Sequence, residues 1–229
     1  DAYGFKQFSL CSSVIGRLSV NPYTEEVEEN IIFGLQARKV SKDEQKRRLD
    51  SVVELVGLGD HLQKKPGQLS GGQCQRVALA RAIVAQAKLC LMDEPLSNLD
   101  AKLRNEMRTE IRALQQRLGM SVIYVTHDQV EAMSMADRIV LMNDGKIEQI
   151  DVPKALYNNP QTIFTAQFIG SPPMNIIGSG KNRLGIRPEH IEISDKGMPA
   201  NVVSCDYHGA DTIVLADVGA SGEDQKLVK

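Results

Sequence analysis

One stretch of the chain, residues 69–100, constrains its fold and function more than any other. It begins with Leu-Ser-Gly-Gly-Gln at positions 69–73 and continues to the short apolar run Leu89–Met92. Wholly apolar runs of this length are typical of strands that are buried on both faces of a parallel sheet. The adjacent acids Asp93 and Glu94 follow directly. We therefore predict that both carboxylates lie at the carboxyl end of a buried strand, where open α/β sheets bind their ligands.

The paired acids indicate phosphoryl chemistry. Neighbouring carboxylates repel each other, so they are costly unless a cation or a reaction uses them. In phosphoryl transfer the first acid commonly binds Mg²⁺, and its neighbour positions the attacking water. Taken alone, Asp93 and Glu94 are also compatible with a strand that ends in a solvated acidic turn.

The segment 69–73 predicts an anion site at the start of a helix. Ser70 is suited to cap that helix, and Gly71 and Gly72 leave backbone N–H groups bare, so that an anion is able to approach closely. The helix N-terminus adds its partial positive charge. An ordinary serine-capped helix with a flexible entry explains the segment alone equally well.

Residues 121–126 are predicted to form a second buried strand, and His127 follows them, so it is expected at a strand end as well. A histidine there would contact a phosphate or orient a water. The alternative is that His127 and Asp128 merely begin the next helix, with Asp128 as its cap. For this position alone, the alternative is the better interpretation.

Strands and helices alternate along most of the chain, which predicts an α/β fold with a mostly parallel sheet. A capping box of Ser41 and Glu44 begins one predicted helix, and Gly57 ends it. The turn at 143–145 predicts a hairpin. Two prolines near residues 170–173 indicate a linker, so we predict domains over 1–170 and 171–229. The second should be a small β domain.

The composition excludes several classes of protein. A net charge of -2 argues against a nucleic-acid partner, because nucleic-acid binders are usually basic. No apolar run approaches the roughly 20 residues of a membrane helix, and no secretory signal is visible. The four cysteines contain no Cys-x-x-Cys pair, which argues against a zinc site.

Considered together, these motifs resemble the ABC ATPase family. Their order is characteristic: Leu-Ser-Gly-Gly-Gln, an apolar strand ending in Asp-Glu-Pro, Ser-Asn-Leu-Asp, and a strand ending in Thr-His-Asp. The resemblance extends from about Val27 to about Ile193, and it implies ATP and Mg²⁺ as ligands. It also implies these roles: Ser70, Gly71, Gly72 and Gln73 as the signature motif facing the γ-phosphate held by a partner subunit, Asp93 as the Mg²⁺ ligand, Glu94 as the catalytic base, residues 97–100 with Asp100 as the D-loop, His127 as the switch histidine, and Tyr3 in the adenine-stacking region.

The C-terminal part resembles a TOBE domain, an OB-like β unit. The carrying motifs are Phe-Ile-Gly-Ser-Pro at 168–172 and Gly-Ile-Arg-Pro-Glu-His at 185–190. Such domains occur in importer ATPases for sugars, sn-glycerol-3-phosphate and polyamines. The resemblance implies a homodimer at the cytoplasmic face of the membrane, bound to permease subunits and indirectly to a solute-binding protein.

Three departures from the family stand out. The chain contains no Gly-x-x-x-x-Gly-Lys-Ser/Thr P-loop, and Gly16 or Arg17 occupies the place of the Q-loop glutamine. Cys74 stands where relatives usually carry arginine. The sequence therefore offers the signature half of an ATP site without the P-loop half. We expect that a segment belongs between Leu10 and Tyr23, since its loss would uncover buried faces and sheet edges.

Three functions compete at this point. The first is the ATP-hydrolysing subunit of a solute importer, which the TOBE-like tail favours. The second is a non-transport ABC ATPase of DNA repair or translation, which usually has a coiled-coil insertion or tandem cassettes. The third is a catalytically inactive regulatory or interaction module, which the missing P-loop would permit.

Overall fold

The structure is a computed structural model that describes residues 12–15, 26–97, 99–178, 183–218 and 226–228. Tyr3, Gly16, Arg17 and most of the predicted junction between Leu10 and Tyr23 lie outside the described residues. The chain divides into two compact units, Asp1–Asp128 and Gln129–Lys229. None of the described helices is long and apolar enough to cross a membrane.

The described part of the first unit contains a parallel sheet and four α-helices. The strands are β1 (Ser12–Ile15), β2 (Leu89–Asp93) and β3 (Ser121–Val125), and the helices are α1 (Val27–Ala37), α2 (Lys42–Val56), α3 (Gly71–Val84) and α4 (Ala101–Leu118). The order β1-β2-β3 is parallel throughout, with Leu89 opposite both Ser12 and Ser121. The predicted α/β class is confirmed, and the carboxyl ends of the strands meet at one edge.

Helix α2 lies where the sequence predicts it, but its first turn differs. Ser41 precedes the helix without a side-chain cap, and Gly57 ends it in the left-handed conformation at φ 65°. Instead of capping, Glu44 accepts hydrogen bonds from Arg47 at 2.7 Å and Arg48 at 2.6 Å. These guanidinium groups lower the pKa of Glu44 to about 2. The predicted capping box is therefore wrong, because two nearby arginines compete for its carboxylate.

Strands β2 and β3 differ in burial. Cys90 and Met92 of β2 are 1% and 3% exposed, in agreement with the predicted buried strand. Ile123 and Val125 of β3 are 53% and 51% exposed. The prediction of a second buried strand is therefore wrong for this face. Strand β3 lies at the edge of the described part of the sheet.

The second unit combines short helices with antiparallel strands. Its helices are α5 (Gln129–Met135), α6 (Pro153–Asn158) and α7 (Ile163–Phe168), and its strands are β4 (Ile139–Asn143), β5 (Lys146–Asp151), β6 (Asn175–Ile177), β7 (Leu184–Ile186), β8 (Asn201–Tyr207), β9 (Thr212–Asp217) and β10 (Lys226–Val228). Asp144 and Gly145 join β4 to β5 with φ of 45° and 75°, as expected of a two-residue hairpin. Strands β10, β9 and β8 form an antiparallel sheet, which agrees with a C-terminal β domain. The boundary at residue 170 stays a prediction.

A buried arginine holds part of this unit together. Arg187 donates hydrogen bonds to the backbone oxygens of Tyr157 at 2.7 Å and Ala166 at 3.2 Å. Its guanidinium also lies 4.0 Å from the centroid of the Tyr157 ring. Desolvation lowers the pKa of Arg187. The arginine of the Gly-Ile-Arg-Pro-Glu-His motif thus connects β7 to helices α6 and α7.

Candidate functional site

The strand ends bring Glu94 and His127 together. Parallel pairing places Asp93 opposite Val125, so the residues that follow each strand emerge side by side. The Glu94 backbone N–H donates to the Val125 carbonyl at 2.8 Å. The His127 Nδ1 then lies 3.1 Å from the Glu94 Oε1. Two residues predicted at the same sheet edge are therefore in hydrogen-bond contact.

Glu94 is held in an unusual backbone conformation. Its φ is 45°, a backbone angle that residues other than glycine rarely adopt and that costs about 1–3 kcal/mol. The Glu94 carbonyl accepts the Ser97 hydroxyl at 3.0 Å and the Ser97 N–H at 3.3 Å. These bonds hold the turn after β2. The strained turn directs the Glu94 side chain towards His127.

Both side chains of this pair remain open to solvent. The His127 side chain is 72% exposed and that of Glu94 is 36% exposed. A carboxylate beside an imidazole, both reachable by water, is an arrangement suited to positioning a water and taking up its proton. The geometry therefore permits general-base chemistry at this edge.

Asp93 ends β2 and is exposed. The described residues contain no group of three or more histidine, cysteine or acidic side chains that would hold a metal by itself. Mg²⁺ at phosphate sites typically needs only one or two carboxylates, with phosphate oxygens and water as its other ligands. Asp93 fits that partial role, and Glu94 is its neighbour.

Arg104 is a residue of this region that the sequence reasoning missed. It connects Leu99, in the segment predicted to be the D-loop, with Asp128: Nη2 donates to the Leu99 carbonyl at 2.9 Å, and Nη1 lies 3.4 Å from Asp128 Oδ2. Asp100 caps α4 by accepting the Leu103 N–H at 3.0 Å. The spacing of the sequence does not indicate this contact, because Asp128 lies 24 residues further along the chain.

The signature segment, residues 69–73, forms a complete capping box. The Ser70 Oγ accepts the Gln73 N–H at 3.3 Å, and the Gln73 Oε1 accepts the Ser70 N–H at 2.9 Å. The first-turn N–H groups of Gly71 and Gly72 have no partners within a helix. The predicted start of α3 is therefore correct.

The two glycines of this segment differ. Gly71 is exposed, whereas Gly72 is buried. A Cβ at position 72 would lie 2.9 Å from the Leu103 Cδ1, and a Cβ at position 71 would lie 3.3 Å from the Leu99 Cδ2. Close packing against α4 therefore explains Gly72. The interpretation of both glycines as bare backbone for an anion applies best to Gly71.

Cys74 lies in the first turns of α3, directly after the capping box. Its Sγ lies 3.7 Å from the Pro66 carbonyl, and burial raises the pKa of the thiol. The side chain therefore packs against the preceding turn, which is a structural role that the sequence did not indicate.

A cavity of about 590 Å³ lies elsewhere in the first unit. Its lining includes Lys88 and Ser121, which begin or precede strands β2 and β3. The cavity is thus at the amino ends of the strands, whereas Asp93, Glu94 and His127 are at the carboxyl ends. It is not part of the candidate site.

Comparison with known proteins shows the family to which the chain belongs. Residues 8–97 match the ABC transporter family, and residues 184–227 match the TOBE domain. The chain is 42% identical over 250 aligned positions to the sn-glycerol-3-phosphate import ATP-binding protein UgpC 2 of Agrobacterium fabrum, covering 93% of the chain and 67% of that protein. The chain therefore belongs to the ABC transporter family of ATP-binding proteins.

Two further relatives show the range of importers within the family. The spermidine/putrescine import ATP-binding protein PotA of Bacillus cereus is 50% identical over 182 residues, covering 80% of the chain and 54% of that protein. The oligosaccharides import ATP-binding protein MsmX of Bacillus subtilis is 59% identical over 149 residues, covering 65% of the chain and 41% of that protein.

The matched lengths are informative. The chain spans about 60% of the length of several relatives that it matches. The alignment with the Agrobacterium fabrum protein is 250 positions long, more than the 229 residues of this chain. That relative therefore carries residues, within the matched region, that this chain lacks.

Proposed function

We propose that the chain is the energy-coupling subunit of a membrane solute importer and that it hydrolyses ATP when its P-loop segment is present. The contact between Glu94 and His127, at the carboxyl ends of adjacent parallel strands, is the observation that carries this proposal. The names of the relatives support import as the process that ATP hydrolysis would drive.

Each predicted residue has a place in the proposed mechanism. Glu94 positions a water for attack on the γ-phosphate and takes up its proton, while His127 fixes the carboxylate by hydrogen bonding. Asp93 would hold Mg²⁺, and a bound Mg²⁺ would neutralise part of the negative charge of the phosphates. The first turn of α3, with Ser70, offers backbone N–H groups to the γ-phosphate of a nucleotide on the partner subunit. Two copies would therefore enclose ATP between them.

The partners and the location follow from this role. A second ATPase subunit completes each ATP site. The two ATPase subunits close around ATP, and this motion is passed to permease subunits at the cytoplasmic face of the membrane. A solute-binding protein acts indirectly, through the permease. The relatives import sn-glycerol-3-phosphate, polyamines and oligosaccharides, so the substrate belongs to the sugar, sugar-phosphate or polyamine class.

The missing P-loop defines the first test. The relative carries residues within the matched region that this chain lacks, and the absence of a P-loop motif from the sequence leads us to propose that they belong between Leu10 and Tyr23. Peptide mapping of the protein from its native source should therefore find additional residues, including a P-loop, between Leu10 and Tyr23. A native protein without such residues there would instead favour the inactive module, a hypothesis that none of the relatives described above supports.

ATP hydrolysis is the second test. We define the P-loop-carrying form as this chain with the corresponding residues of the Agrobacterium fabrum relative inserted between Leu10 and Tyr23. It should hydrolyse ATP, with a stronger rate in complex with its permease. The matched control replaces the P-loop lysine of the inserted segment by alanine, which should abolish hydrolysis. Equal rates in the two proteins would contradict the proposal.

A further inference from the structure

The Gln73 side chain is bonded at both ends of its amide. On one side, its Oε1 accepts the Ser70 N–H at 2.9 Å. On the other side, its Nε2 lies 2.7 Å from the Nε2 of His61. His61 ends the short helical turn Gly59–His61, which lies before α3 in the chain. The capping box is therefore connected to a histidine outside it.

The backbone fixes the direction of both bonds. A backbone N–H is only a donor, so the Gln73 atom that faces Ser70 must be the carbonyl oxygen. The other end of the amide is then the NH₂ group, which only donates. The His61 Nε2 must accept from it, and an accepting ring nitrogen carries no proton. The neutral His61 ring therefore carries its proton on Nδ1.

The remaining ring nitrogen shows what this arrangement costs. The His61 Nδ1 is buried, and it has no hydrogen-bond partner among the described residues. A buried N–H without a partner destabilises the folded state, because it loses its hydrogen bond to water. If this position only had to fill buried space, an apolar side chain would do so without an unpaired N–H. The bond from Gln73 is the interaction in the structure that a histidine at this position provides.

We propose that His61 is a positioning residue for the signature segment. It accepts the Gln73 amide and so holds the Gln73 oxygen against the Ser70 N–H, which keeps the start of α3 in one conformation. The consequence for ATP rests on the proposed function: a fixed first turn presents Ser70 and Gly71 to the partner's nucleotide in one geometry.

The tautomer of His61 is measured directly by long-range ¹H–¹⁵N NMR on the unaltered chain at pH 8, without nucleotide. The proposal requires a proton on Nδ1 and none on Nε2. The opposite tautomer would overturn it, because an Nε2–H group cannot accept from Gln73. This measurement needs no variant, so it decides the question even where a variant does not fold.

Solvent exchange of the Ser70 amide hydrogen then tests the positioning role. His61→Leu removes the acceptor, and it should accelerate this exchange about two- to tenfold, the range expected for one lost hydrogen bond. His61→Gln keeps an acceptor on a side chain of similar length and should restore exchange to within about twofold of the unaltered chain. His208→Leu, at an exposed position in the second unit, is the control and should have no effect.

Two results would contradict the positioning role: unchanged Ser70 exchange in His61→Leu, or equal acceleration in His61→Gln and His61→Leu. Circular dichroism establishes whether each variant is folded. All of these measurements are made without ATP. A P-loop-carrying form that failed to hydrolyse ATP would refute the proposed function and leave the His61 result intact.

Discussion

The strand-end cluster (Asp93, Glu94 and His127) and the signature segment (residues 69–73) are built in opposite ways. The cluster joins residues 33 positions apart through a parallel sheet and a left-handed turn at Glu94. The capping box of the signature segment joins residues three positions apart. One region depends on the whole fold, and the other depends mainly on its own first turn.

The two regions have different proposed roles: the cluster carries the reacting side chains, and the signature segment binds the nucleotide. The cluster stores backbone strain of about 1–3 kcal/mol at Glu94 and keeps two titratable side chains open to water. The signature segment pairs Ser70 with Gln73 locally, receives one further contact from His61, and presents backbone donors. We therefore expect substitutions in the cluster to change turnover with little loss of stability. Substitutions in the signature segment should also change the stability of α3.

The largest effect should come from Glu94→Gln in the P-loop-carrying form. The amide cannot take up a proton from water, so the rate of ATP hydrolysis should fall about 10²–10⁴-fold while ATP binding is retained. Single-turnover hydrolysis and equilibrium nucleotide binding measure the two quantities separately. Near-normal turnover would remove Glu94 from the role of base.

The next largest difference is expected in the reactivity of cysteines: Cys90 precedes the cluster on β2, and Cys74 directly follows the signature segment. Cys90 of β2 is buried, and desolvation raises its pKa to about 11 from an ordinary 9.0. At pH 8 its thiolate fraction should therefore be about a hundredfold smaller than that of an unshifted thiol. Alkylation followed by peptide mapping should label exposed Cys205 first, half-buried Cys74 second and Cys90 last. Rapid labelling of Cys90 would show that the strand carrying the acids is not buried.

His127→Ala should have a smaller effect on turnover than Glu94→Gln. Loss of the 3.1 Å contact frees the Glu94 carboxylate without removing it, so we expect a decrease of about tenfold to a hundredfold. His190→Ala, in the second unit, is the control. Because the His127 side chain is 72% exposed, thermal unfolding should be unchanged, and a large drop in stability would contradict a purely catalytic role.

The smallest effect is expected for Ser70→Ala without nucleotide. Loss of the cap should lower the free energy of unfolding by about 0.5–2 kcal/mol, as measured by urea titration. Ser51→Ala, at an exposed position on α2, is the control. Equal stability of the two variants would show that the capping box contributes little.

The comparison also explains what the sequence was able to predict. The start of α3 at Ser70 and the stop of α2 at Gly57 depend on neighbouring residues, and both were predicted correctly. The positions of Asp93, Glu94 and His127 at one sheet edge followed from the strand pattern. Their contact distance did not, because it depends on strand register and on the turn at Glu94.

The failures have the same origin. The Ser41 and Glu44 pattern was correct for a helix start but wrong for the contact, since Arg47 and Arg48 attract the same carboxylate. Arg104 and His61 were missed because their partners lie in other elements or across a loop. Periodicity and motif spacing carry no information on such pairs.

The most direct test uses mixed dimers in which substitutions disable the cluster on one subunit and the signature segment on the same or the other subunit. Mixed dimers of the P-loop-carrying form would combine Glu94→Gln with Ser70→Arg, either on different subunits or both on the same subunit, purified with two tags. If the signature of one subunit serves the nucleotide of the other, the first arrangement keeps one complete ATP site and hydrolyses ATP. The second arrangement disables both sites and should be inactive. Equal activity of the two mixed dimers would contradict the account.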